Sequence, residues 1–178
     1  MPDTLLEVAT QIVRASRRGF LTTLSDGHPR TRIVEPLVVE DDGTLWIGTS
    51  PASRKALDIG RCPEVTYAAE DRDTNAAACL YGEAELVDDP AVRAARWREH
   101  AARVAPAEPR TGVYFPGGPT GDDFVLVRLH PTAVEVIDFT RGIHPPPFGL
   151  RSARGNAPPL SREVRPAAGN GPNPADPR

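Results

Sequence analysis

Apolar positions recur at two periods along the chain. Leu5, Val8, Ala9, Ile12 and Val13 keep helical spacing behind Thr4-x-x-Glu7, a capping box, and predict an amphipathic helix over about residues 4–18 that Arg17, Arg18 and Gly19 end. Strand-like runs follow at 19–25, 30–39 and 44–49, separated by Asp26-Gly27-His28-Pro29 and Asp41-Asp42-Gly43, both with hairpin chemistry. Ser50 is placed to cap a short helix with Pro51 at its first position and Gly60 as its stop. Two further strands are expected at 65–70 and 77–87. In the second, Ala78, Leu80, Gly82, Ala84 and Leu86 alternate with Cys79, Tyr81, Glu83, Glu85 and Val87, the period of a half-buried antiparallel strand.

Asp89-Pro90 then starts a helix to about Val104 whose apolar face is mostly alanine plus Trp97, so it should cover the structure from outside. Residues 105–123 hold four prolines and four glycines around Val113-Tyr114-Phe115, a long loop of the kind that serves binding. A last long strand is expected over 124–139. Six antiparallel strands joined by hairpins and broken by two helices predict a mainly β fold, a closed or nearly closed β-barrel with peripheral helices. The order excludes a Rossmann arrangement, and there is no GxGxxG or Walker loop.

The domain is expected to occupy residues 1–144. Beyond it, 145–178 carries nine prolines and four glycines with little apolar content, so it cannot build a core of its own. It reads as a tail that is partly disordered or packed on a partner subunit. A net charge of −3 and a pI near 5.8 argue against a general nucleic-acid or anionic-membrane surface. Asp3 and Glu7 stand where a signal peptide would be basic and no apolar stretch approaches a membrane span, so a cytoplasmic location is expected. Cys62 and Cys79 form no CxxC, and histidines 28, 100, 130 and 144 show no i, i+4 pair, so no metal site is expected.

Charge draws attention to one segment. Among 21 basic residues the only lysine is Lys55, within Thr49-Ser50-Pro51-Ala52-Ser53-Arg54-Lys55, where a strand passes into a helix. Hydroxyls, adjacent cations and the free N–H groups of a helix start are what a phosphate dianion needs. Arg30 and Arg32, two apart on one strand face, could add a further cation. Each charge-assisted hydrogen bond contributes about 1.5–3 kcal/mol. Micromolar affinity needs about 8 kcal/mol. A flat aromatic part of the ligand would have to supply the remainder.

With these motifs the chain resembles the pyridoxamine 5′-phosphate oxidase-like flavoproteins with a split β-barrel, especially their general stress protein branch. The resemblance covers about residues 15–140. It runs through Gly19-Phe20-Leu21-Thr22-Thr23, Gly27-His28-Pro29-Arg30-Thr31-Arg32, Leu45-Trp46-Ile47-Gly48-Thr49-Ser50, Ser53-Arg54-Lys55, Pro63-Glu64-Val65, Gly82-Glu83-Ala84-Glu85-Leu86-Val87-Asp88-Asp89 and Tyr114-Phe115-Pro116-Gly117-Gly118.

That resemblance implies a homodimer with FMN at the subunit interface and a flavin-dependent oxidoreductase acting on a small molecule. By the family pattern Arg32, with the backbone of Ile33 and Val34, lies beside the flavin, and Thr49, Ser50, Ser53 and Lys55 hold the phosphate with Arg30 or Arg54 assisting. Trp97, Tyr114 and Phe115 are candidates for the wall of the ring. The chain lacks the tryptophan strand and Arg-Leu-x-Pro terminus of true pyridoxamine phosphate oxidases and ends in Pro172-Asn173-Pro174-Ala175-Asp176-Pro177-Arg178, so vitamin B6 oxidation is not expected. No protein group is singled out as general acid or base, because in flavoproteins the cofactor carries the redox chemistry. The alternatives are a flavin-binding stress protein without turnover, or the same barrel holding a deazaflavin coenzyme or haem, with His130 and His144 as candidate axial ligands.

Overall fold

In the computed structural model, residues 4–103, 110–143 and 151–152 are described. Helix α1 (Leu5–Ser16) starts as the sequence predicts: the Thr4 side chain accepts from the Glu7 backbone and Glu7 reaches back to the Thr4 N–H. Its buried stripe, Val8, Ala9, Ile12 and Val13, packs on the sheet interior. Each such side chain, fully buried, contributes about 1.5–3 kcal/mol.

The strands are β1 (Gly19–Ser25), β2 (His28–Val34), β3 (Val38–Val39), β4 (Leu45–Thr49), β5 (Glu64–Asp71), β6 (Ala76–Val87), β7 (Val125–Ile137) and β8 (Arg151–Ser152). All pairings are antiparallel, in the order β2-β1-β5-β6-β7-β4-β3, with β8 on β7. Leu21, Val34, Ile47, Tyr67, Leu80, Val127, Leu129 and Val134 point inward and form the main core with α1. This is the mainly β architecture with peripheral helices that the pattern predicts.

The strand count departs from the expected six. The run over 30–39 is two strands, because Pro36 has no N–H to donate and pushes Glu35 toward extended geometry, so the ladder breaks there. The second addition is β8, which lies in the Pro/Gly-rich segment; the remainder of 145–178 falls outside the described residues apart from that pair. The barrel is also not closed by hydrogen bonds. Its two end strands, β2 and β3, follow one another through Glu35-Pro36-Leu37 and do not pair with each other. The barrel is split at this seam.

Three helices lie outside the sheet: α2 (Arg54–Arg61), α3 (Pro90–Arg103) and the short α4 (Arg110–Tyr114), which falls inside the expected 105–123 loop together with a 3-10 turn at Gly118–Thr120. Asp89 caps α3 by accepting from Ala91 and Val92 N–H, both at 2.9 Å. A second, smaller core of Leu37, Val38, Trp46, Phe124 and Leu126 forms under α3, with Val92, Trp97 and Phe115 packed on it. Buried Arg93 donates to Asp88, just before α3, at 2.7 Å, and ties the helix to the loop that follows it through the Gly121 carbonyl. In the middle of β6 the register with β7 shifts beside Gly82, where a Cβ would lie 2.1 Å from the His130 carbonyl oxygen.

Candidate functional site

The start of α2 differs from expectation by three residues, and the difference builds the site. Ser50 does not cap the helix; Ser50 to Ser53 form a turn, with Ser53 N–H donating to the Ser50 carbonyl at 3.0 Å. Ser53 is the cap, extended in backbone, its hydroxyl accepting from Ala56 N–H. Proline fits the turn as well as a first helical position. The helix likewise passes Gly60 and ends at Arg61, where the Cys62 N–H closes on the Asp58 carbonyl.

Around this turn the hydroxyls and the lysine meet. Lys55 Nζ donates to Thr49 Oγ1 at 2.8 Å, and Thr49 Oγ1 lies 2.9 Å from Ser53 Oγ. Burial, with the Arg32 guanidinium nearby, holds the Lys55 ammonium below the ordinary lysine range. A cation partly withdrawn from water at a helix start gains more from a phosphate than a solvated one does.

The cluster sits at one end of a cleft of about 650 Å³ that opens along the seam of the barrel. Ile33, Val34, Leu37 and Ile47 give its lining apolar character, joined by Gly48, Tyr114 and Phe115. A Cβ at Gly48 would meet Phe124 Cε2 at 2.7 Å. Of the residues named from sequence, Ile33, Val34, Thr49, Ser50, Ser53 and Lys55 line this cleft.

Arg30 and Arg54 do not; both are exposed and lie outside the cleft lining. Arg32 does not line it either. Its guanidinium turns inward, donating to Thr23 Oγ1 at 2.7 Å and to Asp58 Oδ2 at 3.3 Å. Asp58, with a side chain 3% exposed, also accepts from Thr23 at 2.7 Å. Burial alone would raise the Asp58 pKa, but hydrogen bonds from Thr23 and Ser25 and the Arg32 charge outweigh it and hold it below the ordinary carboxylate range. Arg32 thus props α2 against β1 and β2 behind Lys55.

Among the aromatic candidates, Trp97 is corrected: it packs edge-on to Phe124, with ring centroids 5.1 Å apart, in the small core. Tyr114 and Phe115 do line the cleft. Sequence reasoning missed Arg17, Arg18, Glu35 and His100, which line it too. His100 Nδ1 sits 3.3 Å from the Leu37 carbonyl. Arg17-Arg18 read as a helix terminator and Glu35 as a strand residue; only the adjacency of the seam joins them.

His130 belongs to a second cleft of about 620 Å³ on the outer face of β4, β6 and β7, with Nδ1 3.3 Å from Thr44 Oγ1. His144 falls outside the described residues. In that second cleft Arg96 pairs with Glu40, Arg128 pairs with Glu85, and Arg96 lies 4.6 Å over the Trp46 ring, so its cations are engaged internally. No group of His, Cys, Asp or Glu that could hold a metal ion occurs among the described residues. No helix among them is long and apolar enough to cross a membrane.

Comparison with solved structures finds the same fold repeatedly. A general stress protein 26-related protein of the pyridoxinephosphate oxidase family from Clostridium acetobutylicum is 16% identical, with a TM-score of 0.62 over 78% of this chain and 91% of its own. A pyridoxamine 5′-phosphate oxidase-related, FMN-binding protein from Nostoc punctiforme is 22% identical, with a TM-score of 0.57 over 76% and 83%. A haem-binding protein from Mycobacterium smegmatis is 22% identical, with a TM-score of 0.60 over 77% of this chain and 55% of its own. No curated protein matches the sequence. The family model for "Pyridoxamine 5′-phosphate oxidase like" proteins matches residues 5–143, which takes in the seam, the turn before α2 and both walls of the cleft. By that match the chain belongs to the pyridoxamine 5′-phosphate oxidase-like family.

Proposed function

We propose that the seam cleft binds FMN and that the protein is a flavin-dependent oxidoreductase acting on a small molecule. The observation that carries this reading is the junction at Thr49 Oγ1, 2.8 Å from Lys55 Nζ and 2.9 Å from Ser53 Oγ, with an apolar-walled cleft large enough for a flat aromatic ligand. The donor set suits a phosphate monoester: one partly buried ammonium, hydroxyls able to turn their protons outward, and the start of α2. FMN, when bound, would supply the electron-carrying ring. The chain's own part is to grip the phosphate, to lay the ring against Ile33, Val34 and Ile47, and to exclude water with Tyr114 and Phe115.

A homodimer fits the same surface. Ile33 is 64% exposed, Phe20, its partner across β1 and β2, is 51% exposed, and Tyr114 is 71% exposed. Apolar side chains so exposed in and beside the cleft suit cover by a second copy of the chain. The purified protein is expected to be yellow, to release FMN on denaturation, and to undergo flavin bleaching in stopped flow with NADH or NADPH. A flavin that binds but is never reduced would leave a flavin-binding protein without turnover. A colourless protein that gains no thermal stability from excess FMN would refute the cofactor reading.

A further inference from the structure

The cleft has a second cationic end. The phosphate grip sits where β4 passes into α2, whereas Arg17 and Arg18 link α1 to β1. There Arg17 and Arg18 converge on one carboxylate: Arg17 Nε reaches Glu35 Oε1 at 3.0 Å and Arg18 Nε reaches Glu35 Oε2 at 3.3 Å. All three side chains line the cleft.

Two further observations set this end apart from an ordinary surface ion pair. Arg17 holds a left-handed backbone position, φ 58°, which glycine adopts without strain, yet the position keeps a guanidinium. Arg18 spends only its Nε on Glu35, and its Nη protons have no partner among the described residues. Nearby, the Tyr67 hydroxyl is buried without a partner, and burial with the Glu35 charge pushes its pKa up.

From this geometry we infer that the Arg17–Arg18–Glu35 end of the cleft is the subsite for a second ligand, an organic anion whose carboxylate meets Arg18. The inference rests on the proposed FMN reading, in which Lys55 takes the cofactor phosphate and leaves the arginine end for the substrate. Glu35 shows the chemistry that the two arginines accept, and it competes with the incoming acid. A guanidinium presents several donors in a plane and suits a carboxylate better than a point charge does.

Nicotinate and nicotinamide differ in this respect by one charge at nearly equal shape. Calorimetric titration of both into the FMN-saturated protein, and into the protein alone, separates the two readings, with FMN affinity measured independently by flavin fluorescence. Nicotinate is expected to bind at least tenfold tighter than nicotinamide. Arg18→Ala should bring the two together without changing FMN affinity, and Glu35→Gln should tighten nicotinate severalfold because it removes the competing carboxylate. Arg98→Ala, on the exposed face of α3, should change neither. Equal binding of the two probes, or an Arg18→Ala variant with unaltered preference, overturns the anion subsite while FMN binding stands. A Glu35→Gln variant that binds nicotinate no more tightly also overturns it. Failure to bind FMN overturns the cofactor reading instead, and the acid preference of the protein alone then still decides the subsite.

Discussion

Replacing Asp58 by asparagine should destabilise the protein by about 3 kcal/mol at neutral pH. Asp58 is the carboxylate within ion-pair range of Arg32 among the described residues, and its side chain is 3% exposed against 21% for Arg32. Removing one partner of a buried pair costs about 3–5 kcal/mol because the other charge is stranded; Arg32 keeps some access to water and its bond to Thr23, which puts the cost at the lower end. For a chain of this length about 2–4 °C accompanies each kcal/mol, so the melting temperature should fall by about 6–12 °C. The pH dependence has a fixed sign. A carboxylate whose folded pKa is depressed contributes stability above its unfolded value, near 3.9, and loses that contribution as the pH falls through the folded value. The gap between wild type and Asp58→Asn in urea titrations should therefore be full at pH 7 and shrink below about pH 4. Replacing both partners, Arg32→Met with Asp58→Leu, should recover most of the loss. A single variant within 1 kcal/mol of wild type, or a gap that persists unchanged to pH 2, would refute the account of Arg32 as a buried prop.

Lys55→Ala should weaken FMN binding roughly 10- to 150-fold, the equivalent of one charge-assisted hydrogen bond, with a thermal midpoint near that of wild type; fluorescence titration checks it, and unchanged affinity would remove the phosphate assignment. Because burial and Arg32 lower the Lys55 pKa, FMN affinity in wild type should decline with rising pH before the ordinary lysine value of 10.5 is reached, whereas Lys55→Arg should show no such decline. Ser53→Ala removes the cap of α2 and a cleft hydroxyl together, so a loss of about 1 kcal/mol in stability should accompany weaker FMN binding. Gly82→Ala should cost at least about 2 kcal/mol in a thermal melt, since its Cβ would enter the His130 carbonyl and the backbone must move to make room.

Much of this architecture was legible in advance because it depends on local chemistry. The capping box of α1, the hairpin turns and the alternating face of β6 are decided by neighbours a few residues apart, and the structure follows them. The errors share a cause. Pro36 interrupts the strand-like run over 30–39, so β2 and β3 are separate strands where the pattern reads one, with the seam between them. Ser50-Pro51 satisfied the rule for a helix start, but the same dipeptide satisfies a turn, and Ser53 won the cap because its hydroxyl reaches both Ala56 N–H and Thr49.

What the sequence determined by itself was the inventory: a mainly β chain, and a hydroxyl-rich turn carrying its single lysine before a short helix. Those follow from periodicity and from capping and turn chemistry, which act within a few residues. Tertiary structure decided which side chains share a space. It turned Arg32 inward to Asp58, 26 residues away, left Arg30 and Arg54 on the surface, sent Trp97 to the small core, and brought Arg17 and Arg18 beside Glu35 along the same cleft as Lys55. Side-chain direction at a strand edge depends on how the whole sheet curls, and the curl that opens the seam depends on pairings between strands distant in the chain.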